Sequence, residues 1–243
     1  MICRAAGRVD IPIYAGSAGP LIHGPGQPHV PQYEAIRTRE HRLDRQANYA
    51  VHWMRATIRQ RPGQIVLLSI GPLTNVALLF ALDPEIPRLL KGFVSMAGWF
   101  FDPENRAEWN VRVDPTASCI AFNQHPVPGH VLVGLDVTTK CTMPPDEVKQ
   151  RFVPAPLDVV LEMASVWFRG AKVMTFHDPL AAALLFEPEI CTYVKGTVVS
   201  PLDVDEKTAG RTVLTRDPAG PAMVAETVDA ARFFAHYFSV FGA

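Results

Sequence analysis

The segment Thr175-Phe176-His177-Asp178-Pro179-Leu180-Ala181-Ala182-Ala183 sets a histidine beside an aspartate where a helix is predicted to begin. Proline suits the first helical position because its φ is already set, and an aspartate before it is a natural N-cap. An imidazole and a carboxylate at a helix mouth can meet a hard metal ion and a polar substrate. Taken alone, the same residues also read as a capping aspartate and a surface histidine.

A second cluster lies in Trp99-Phe100-Phe101-Asp102-Pro103-Glu104-Asn105-Arg106-Ala107-Glu108-Trp109-Asn110. Glu108 and Asn110 are two apart, so an extended chain would project both from one face. A carboxylate and an amide in that relation suit sugar hydroxyls. A solvated loop is the plainer alternative, but Trp99, Phe100, Phe101 and Trp109 would be costly to expose together. Asp114-Pro115 repeats the cap-and-proline grammar and reads as structural. A third motif, Gly71-Pro72-Leu73-Thr74-Asn75, is a tight strand-to-helix turn that can aim the main-chain carbonyl of Ile70 into a site.

Strands must end at these motifs. Gln64 to Ile70 is a continuous apolar run of the kind found in parallel sheets, and Gly92 to Met96 and His130 to Leu135 are similar. Ile11 to Gly16 reads as a further short buried strand. Helices are predicted at Leu73 to Leu82, Pro115 to Phe122, Leu157 to Phe168 and Ala222 to Phe238. Tyr193 to Val199 and Arg211 to Thr215 suggest a small antiparallel addition. The expectation is α/β, an open and mostly parallel sheet flanked by helices, with ligands beyond the carboxyl ends of its strands.

Bulk properties remove several classes of function. The 243 residues, 48% apolar, suffice for one core, so a single domain over 1–243 is expected. A net charge of −1 without a basic run gives no grip on nucleic acid or membranes. Apolar runs such as Val76 to Leu82 are too short to span a bilayer. Cys3, Cys119, Cys141 and Cys191 are widely spaced, which fits reduced thiols in a cytoplasmic protein. The remaining histidines show no metal-ligand spacing, which counts against an unrelated metallohydrolase.

Taken together, the motifs resemble the inosine–uridine-preferring nucleoside hydrolases. The match runs through Gly71-Pro72-Leu73-Thr74-Asn75, Met96-Ala97-Gly98, Ala107-Glu108-Trp109-Asn110 with Asp114-Pro115, Gly134-Leu135-Asp136-Val137-Thr138 and His177-Asp178-Pro179-Leu180-Ala181, in that order. The resemblance implies a calcium-assisted N-ribohydrolase that splits ribonucleosides into ribose and free base, working as a dimer or tetramer. It implies Asp178 and the main-chain oxygen of Ile70 as Ca²⁺ ligands, and His177 and Asp178 as the catalytic pair. Asn105, Glu108, Asn110 and His177 would hold the substrate. Trp167 and Phe168 are candidates to stack on a base, or else core residues.

The family's hallmark Asp-Thr-Asp-x-Gly-x-Asp-Asp run, which supplies most calcium carboxylates and the general base, is absent from these residues. The expectation is therefore a chain truncated at its N-terminus relative to the family, with an incomplete calcium site. The alternative is a non-catalytic relative that binds a nucleoside or assembles with partners. His23-Gly24 within the divergent Gly16–Glu40 loop reads as a remnant of the family's His-Gly loop.

Overall fold

The computed structural model describes residues 1–22, 29–40, 49–124, 127–202 and 209–242, so His23 and Gly24 lie outside the described residues. Six strands form the main sheet: β1 (Val66–Ser69), β2 (Gly92–Ser95), β3 (His130–Leu132), β6 (Cys191–Val199), β7 (Val213–Arg216) and β8 (Ala222–Val228). Their order is β1-β2-β3-β8-β6-β7. The β1, β2, β3 and β8 strands run parallel, while β6 is antiparallel to both β8 and β7. Between them, β4 (Thr142–Met143) and β5 (Met174–Thr175) make a separate antiparallel pair. The expected parallel sheet and its antiparallel addition are both present.

Two apolar clusters fill the layers flanking the sheet. One gathers the N-cap Leu73 and Val76, Leu79 and Phe80 of the helix Thr74–Leu82 with Ile58, Phe93 and Leu132. The other joins Phe152, Phe176, Leu180, Phe233 and Phe238. Each such side chain contributes about 1.5–3 kcal/mol on leaving water. The second cluster matters most for function, because Phe176 is buried immediately before His177 and fixes where that helix starts.

Two expectations about elements are corrected. Ile11 to Gly16 is not a strand. Pro12 lacks the N–H that a sheet ladder needs, and Tyr14 packs on Tyr49 and Trp53 of the helix Tyr49–Gln60, with centroid distances of 5.1 Å to each. Ala222 to Val228 is a strand, and the last helix occupies only Ala230–Ser239. Ala222, Met223 and Ala225 of that strand favour a helix intrinsically, but pairing on both edges in mid-sheet overrides propensity. Asp229 then caps the helix by accepting a hydrogen bond from the Arg232 N–H at 3.0 Å.

Candidate functional site

The parallel strands end on one side of the sheet, and a cavity of about 290 Å³ opens there. Ile70 follows β1, Met96 follows β2, and Leu135 follows β3 by way of Gly134; all three line it. Thr175 closes β5 and leads through Phe176 into the helix His177–Ala183, bringing His177, Asp178 and Pro179 to the same wall. Glu108 and Asn110 complete it, with Trp109 at its edge. Ile70, Glu108, Asn110, His177 and Asp178, far apart in sequence, thus meet in one cavity, at the place where open α/β sheets hold ligands.

The local folding differs from the extended segment expected around Glu108. Glu108 is the N-cap of the helix Trp109–Val113, not part of a strand-like run. Its carboxylate accepts hydrogen bonds from the N–H groups of Asn110 at 2.8 Å, Val111 at 3.2 Å and Gly98 at 3.3 Å. Gly98 is needed there, since its φ of +92° is left-handed and a Cβ would fall 2.5 Å from the Phe100 ring. Asn110 is fixed in turn by donating from Nδ2 to the Met96 carbonyl at 3.0 Å. Both residues still reach the cavity, through a cap instead of strand alternation.

Asp178 is not a cap. The helix N-cap position is Phe176, and no side chain caps this helix end. The Asp178 carboxylate, half-buried in the cavity wall, has no hydrogen-bond partner among the described residues. Burial pushes it up to about 6. Burial also pushes Glu108 up to about 7, prevailing over its three N–H donors, with the charge of Asp178 adding to the rise. His177 is held below the usual imidazole value by burial. Its Nδ1 lies 2.8 Å from the Thr138 hydroxyl, so Nε2 is the nitrogen left for a ligand.

Asn105 stands apart from this group. It adopts a left-handed φ of 50°, its N–H donates to the Asp102 carbonyl at 3.0 Å, and it is not among the residues lining the cavity. The neighbouring Arg106 pairs with Asp102 and lies 4.1 Å over the Trp99 ring, which pins this loop. Asp136 accepts from the Phe100 and Phe101 N–H groups, both at 2.9 Å, and pins it from the other side. Asp114 is structural as expected: it caps the helix Pro115–Cys119 and accepts from the Thr74 hydroxyl at 2.7 Å and the Leu21 N–H at 2.9 Å. Trp109 and Phe101 are partly exposed, so the aromatic cluster is only half withdrawn from water.

The fit of a calcium ion can be judged from the donors. Asp178 and Ile70 both line the cavity, and with the Ile70 carbonyl as the oxygen that the resemblance implies they offer too few donors for calcium, which takes six to eight oxygens. Among the described residues no group of three or more His, Cys, Asp and Glu side chains gathers to hold a metal. Asp102 and Asp136 are committed to Arg106 and to backbone donors. The described residues therefore do not fit a complete calcium site, and no chemical step is assigned to the ion.

A second cavity of about 270 Å³ adjoins the first through shared walls at Thr175 and His177. Its lining includes Gln32, Val160, Met163, Met174 and Trp167 of the helix Leu157–Trp167 and its neighbours. Phe168 instead packs against the second apolar cluster. Gln32 was invisible in the sequence, because only the docking of residues 33–36 on the helix Leu157–Trp167 brings it there.

Comparison with known proteins places these motifs. The family model of the inosine-uridine preferring nucleoside hydrolases matches residues 1–235. The chain is 29% identical over 222 residues to a probable uridine nucleosidase of Oryza sativa subsp. japonica, covering 82% of this chain and 65% of that protein. It is 32% identical over 211 residues to a pyrimidine-specific ribonucleoside hydrolase of Citrobacter koseri, covering 78% of this chain and 65% of that protein. The chain thus spans just under two thirds of the length of these curated relatives. In fold it is similar to a purine-preferring ribonucleoside hydrolase from Gardnerella vaginalis, with a TM-score of 0.80, 21% identity and coverage of 98% and 81%. A plant nucleoside hydrolase gives 0.81 at 22% identity, covering 99% of this chain and 83% of its own.

Proposed function

Because the chain belongs to the inosine-uridine preferring nucleoside hydrolase family, we propose that its paired cavities take a ribonucleoside and direct hydrolysis of its N-glycosidic bond. The carrying observation is the meeting of Glu108, Asn110, His177 and Asp178 in one cavity, with two carboxyls there raised by burial. Carboxyls held at such cost call for a ligand rich in hydroxyls or developing positive charge.

In this reading the ribose enters the first cavity and the base the second. Glu108 and Asn110 hold ribose hydroxyls, while Asn105, expected to share that task, is not among the residues lining the cavity. The C1′–N bond breaks with its electron pair leaving on the base, a water oxygen forms the new bond to C1′, and the proton that the water gives up ends on the base. The oxocarbenium-like state between them is positive, and the carboxylate of Asp178 stabilises it electrostatically. His177, oriented by Thr138, stands where the two cavities meet and supports the departing base from Nε2. A calcium ion on Asp178 and Ile70 is part of the proposal only so far as those two donors go.

The same reading carries a cytoplasmic location and a dimer or tetramer. Supporting the first, Cys3, Cys119, Cys141 and Cys191 are all free, and no helix among the described residues is long and apolar enough to cross a membrane. Supporting the second, β1 has a neighbour on one side only among the described residues, and Val66 and the following Ile70 are exposed.

One observation favours a second reading, a relative that binds nucleosides without cleaving them: the donor count at Asp178 and Ile70. A single assay separates the two. Incubation with uridine, cytidine and inosine, with and without Ca²⁺, should release ribose if the chain is a hydrolase. Binding without ribose release supports the second reading, and the absence of both overturns the proposal.

A further inference from the structure

The second cavity is nearly all hydrocarbon. Val160, Met163 and Met174 line it with Trp167, whose indole N–H is already spent on the Val173 carbonyl at 3.0 Å. Trp167 therefore shows the cavity only ring surface. Apart from the shared Thr175 and His177, one polar side chain among the described residues lines the space: Gln32. Its amide makes no hydrogen bond to the described residues, although it is only partly exposed.

The segment that follows it is braced by two ion pairs. Just beyond Gln32 comes the short helix Tyr33–Ile36, and Glu34 pairs with Arg169 at 3.1 Å. Further on, Arg39 pairs with Glu162. Both partners belong to the helix Leu157–Trp167 or its end, so two ion pairs hold this segment against the cavity that Gln32 borders. An unpaired carboxamide presented to an apolar slot is the arrangement of a ligand site that buries a flat ring and reads one polar edge.

We propose that Gln32 is the base-reading residue of this chain, pairing with the hydrogen-bonding edge of the nucleobase while Trp167 and the methionines cover its ring. This deepens the nucleoside reading and rests on it. A carboxamide carries a donor and an acceptor side by side, and nucleobase edges do the same. Rotation by half a turn exchanges the two, so Gln32 matches the carbonyl and N–H of uracil or hypoxanthine and equally the amine and ring nitrogen of cytosine. The native residue thus admits both types of edge.

Charge at that position breaks the symmetry. A carboxylate only accepts. The N3–H of uracil is flanked on both sides by carbonyl oxygens, which a carboxylate repels. The exocyclic amine of cytosine offers an N–H that points away from any acceptor, the pairing that carboxylates use to read cytosine.

The test is stopped-flow tryptophan fluorescence, which reads binding ahead of turnover, with uridine, cytidine and ribose on wild type, Gln32→Leu and Gln32→Glu. Gln32→Leu should weaken both nucleosides by about tenfold, the worth of one or two neutral hydrogen bonds, and leave ribose unchanged. Gln32→Glu should weaken uridine about tenfold more than cytidine, again with ribose unchanged. If ribose binds but neither variant alters nucleoside affinity or the uridine-to-cytidine ratio, the role of Gln32 is overturned while the nucleoside reading stands. If wild type binds neither ribose nor nucleoside, both fall.

Discussion

His177 and Thr138 meet at 2.8 Å, imidazole Nδ1 to hydroxyl Oγ1, at the boundary of the two cavities. Thr138 is fully buried at the end of the short helix Leu135–Thr138, which directly follows β3. The motif around Gly134 thus does not reach the cavity with its own hydroxyl; it orients the histidine that does. Thr138→Val keeps the shape and removes the partner. Ribose release should fall about tenfold, with affinity for ribose unchanged, as loss of one neutral hydrogen bond predicts. Nitrogen NMR of His177 should show a mixture of tautomers in the variant and one in the wild type. A single unchanged tautomer with unchanged turnover would remove the orienting role.

Glu108 and Asn110 should separate in stability while agreeing in binding. Glu108 satisfies three backbone N–H groups from a nearly fully buried position, so Glu108→Ala should cost about 1–2 kcal/mol, the usual loss for an N-cap. Asn110→Ala forfeits one bond to the Met96 carbonyl, for about 1 kcal/mol. Both should weaken ribose binding. Urea unfolding beside ribose titration checks this, and undiminished ribose affinity in a folded Asn110→Ala protein would withdraw the sugar assignment.

The parallel strands were legible because interior strands must be apolar on both faces, and Ile65 to Ser69 has no polar residue before its end. The meeting of Ile70, Glu108, Asn110, His177 and Asp178 was legible as types and order, since each follows a strand end or opens a helix. Their mechanics were less so. Glu108 at a cap and Asp178 at no cap reverse the local grammar, because Phe176 is drawn into the apolar cluster and sets the helix start two residues early. Gln32 was illegible, as nothing local to residues 30–39 signals docking onto a helix more than a hundred positions away. Ala222 to Val228 failed for the opposite reason, with local propensity pointing to a helix and two neighbouring strands deciding otherwise.

A pH experiment isolates the buried pair Ser95 and His130, whose Oγ and Nε2 lie 2.6 Å apart beneath the stacked Phe93 ring. Full burial lowers His130 to about 3 from an ordinary 6.5. The unfolded chain takes up a proton near 6.5 that the folded protein refuses until about 3. This contribution to stability is therefore fully present above 6.5 and is lost as pH falls towards 3, by about 1.4 kcal/mol per unit. Glu108 has the opposite slope: raised to about 7, it favours the folded state as pH falls from 7 towards 4.5. Asp178, raised to about 6, has the same slope as Glu108, so the two carboxyls together outweigh His130 and the wild type should gain stability as pH falls from 7.5 to 5. The Ser95→Ala/His130→Phe variant should gain about 2 kcal/mol relative to wild type over that interval. Equal pH profiles by urea unfolding would show that His130 protonates in the folded protein.

The last expectation concerns calcium. Asp178 and Ile70 line the cavity, and a carboxylate with the main-chain carbonyl of Ile70 would be a small part of the six to eight oxygens that calcium takes. A bound ribose can add hydroxyls, so ion and sugar should bind together better than either alone. Calorimetry on this 243-residue chain should give a Ca²⁺ dissociation constant no tighter than about 10⁻⁴ M without sugar, the range of weakly liganded sites. Added ribose should tighten it, and Asp178→Asn should abolish the heat in both cases. The melting temperature should move only a few degrees with Ca²⁺ alone, since linkage contributes about 1.4 kcal/mol at tenfold excess over the dissociation constant. Sub-micromolar binding lost in Asp178→Asn would contradict the donor count, and would require several oxygen ligands beyond those that the described residues bring to this cavity.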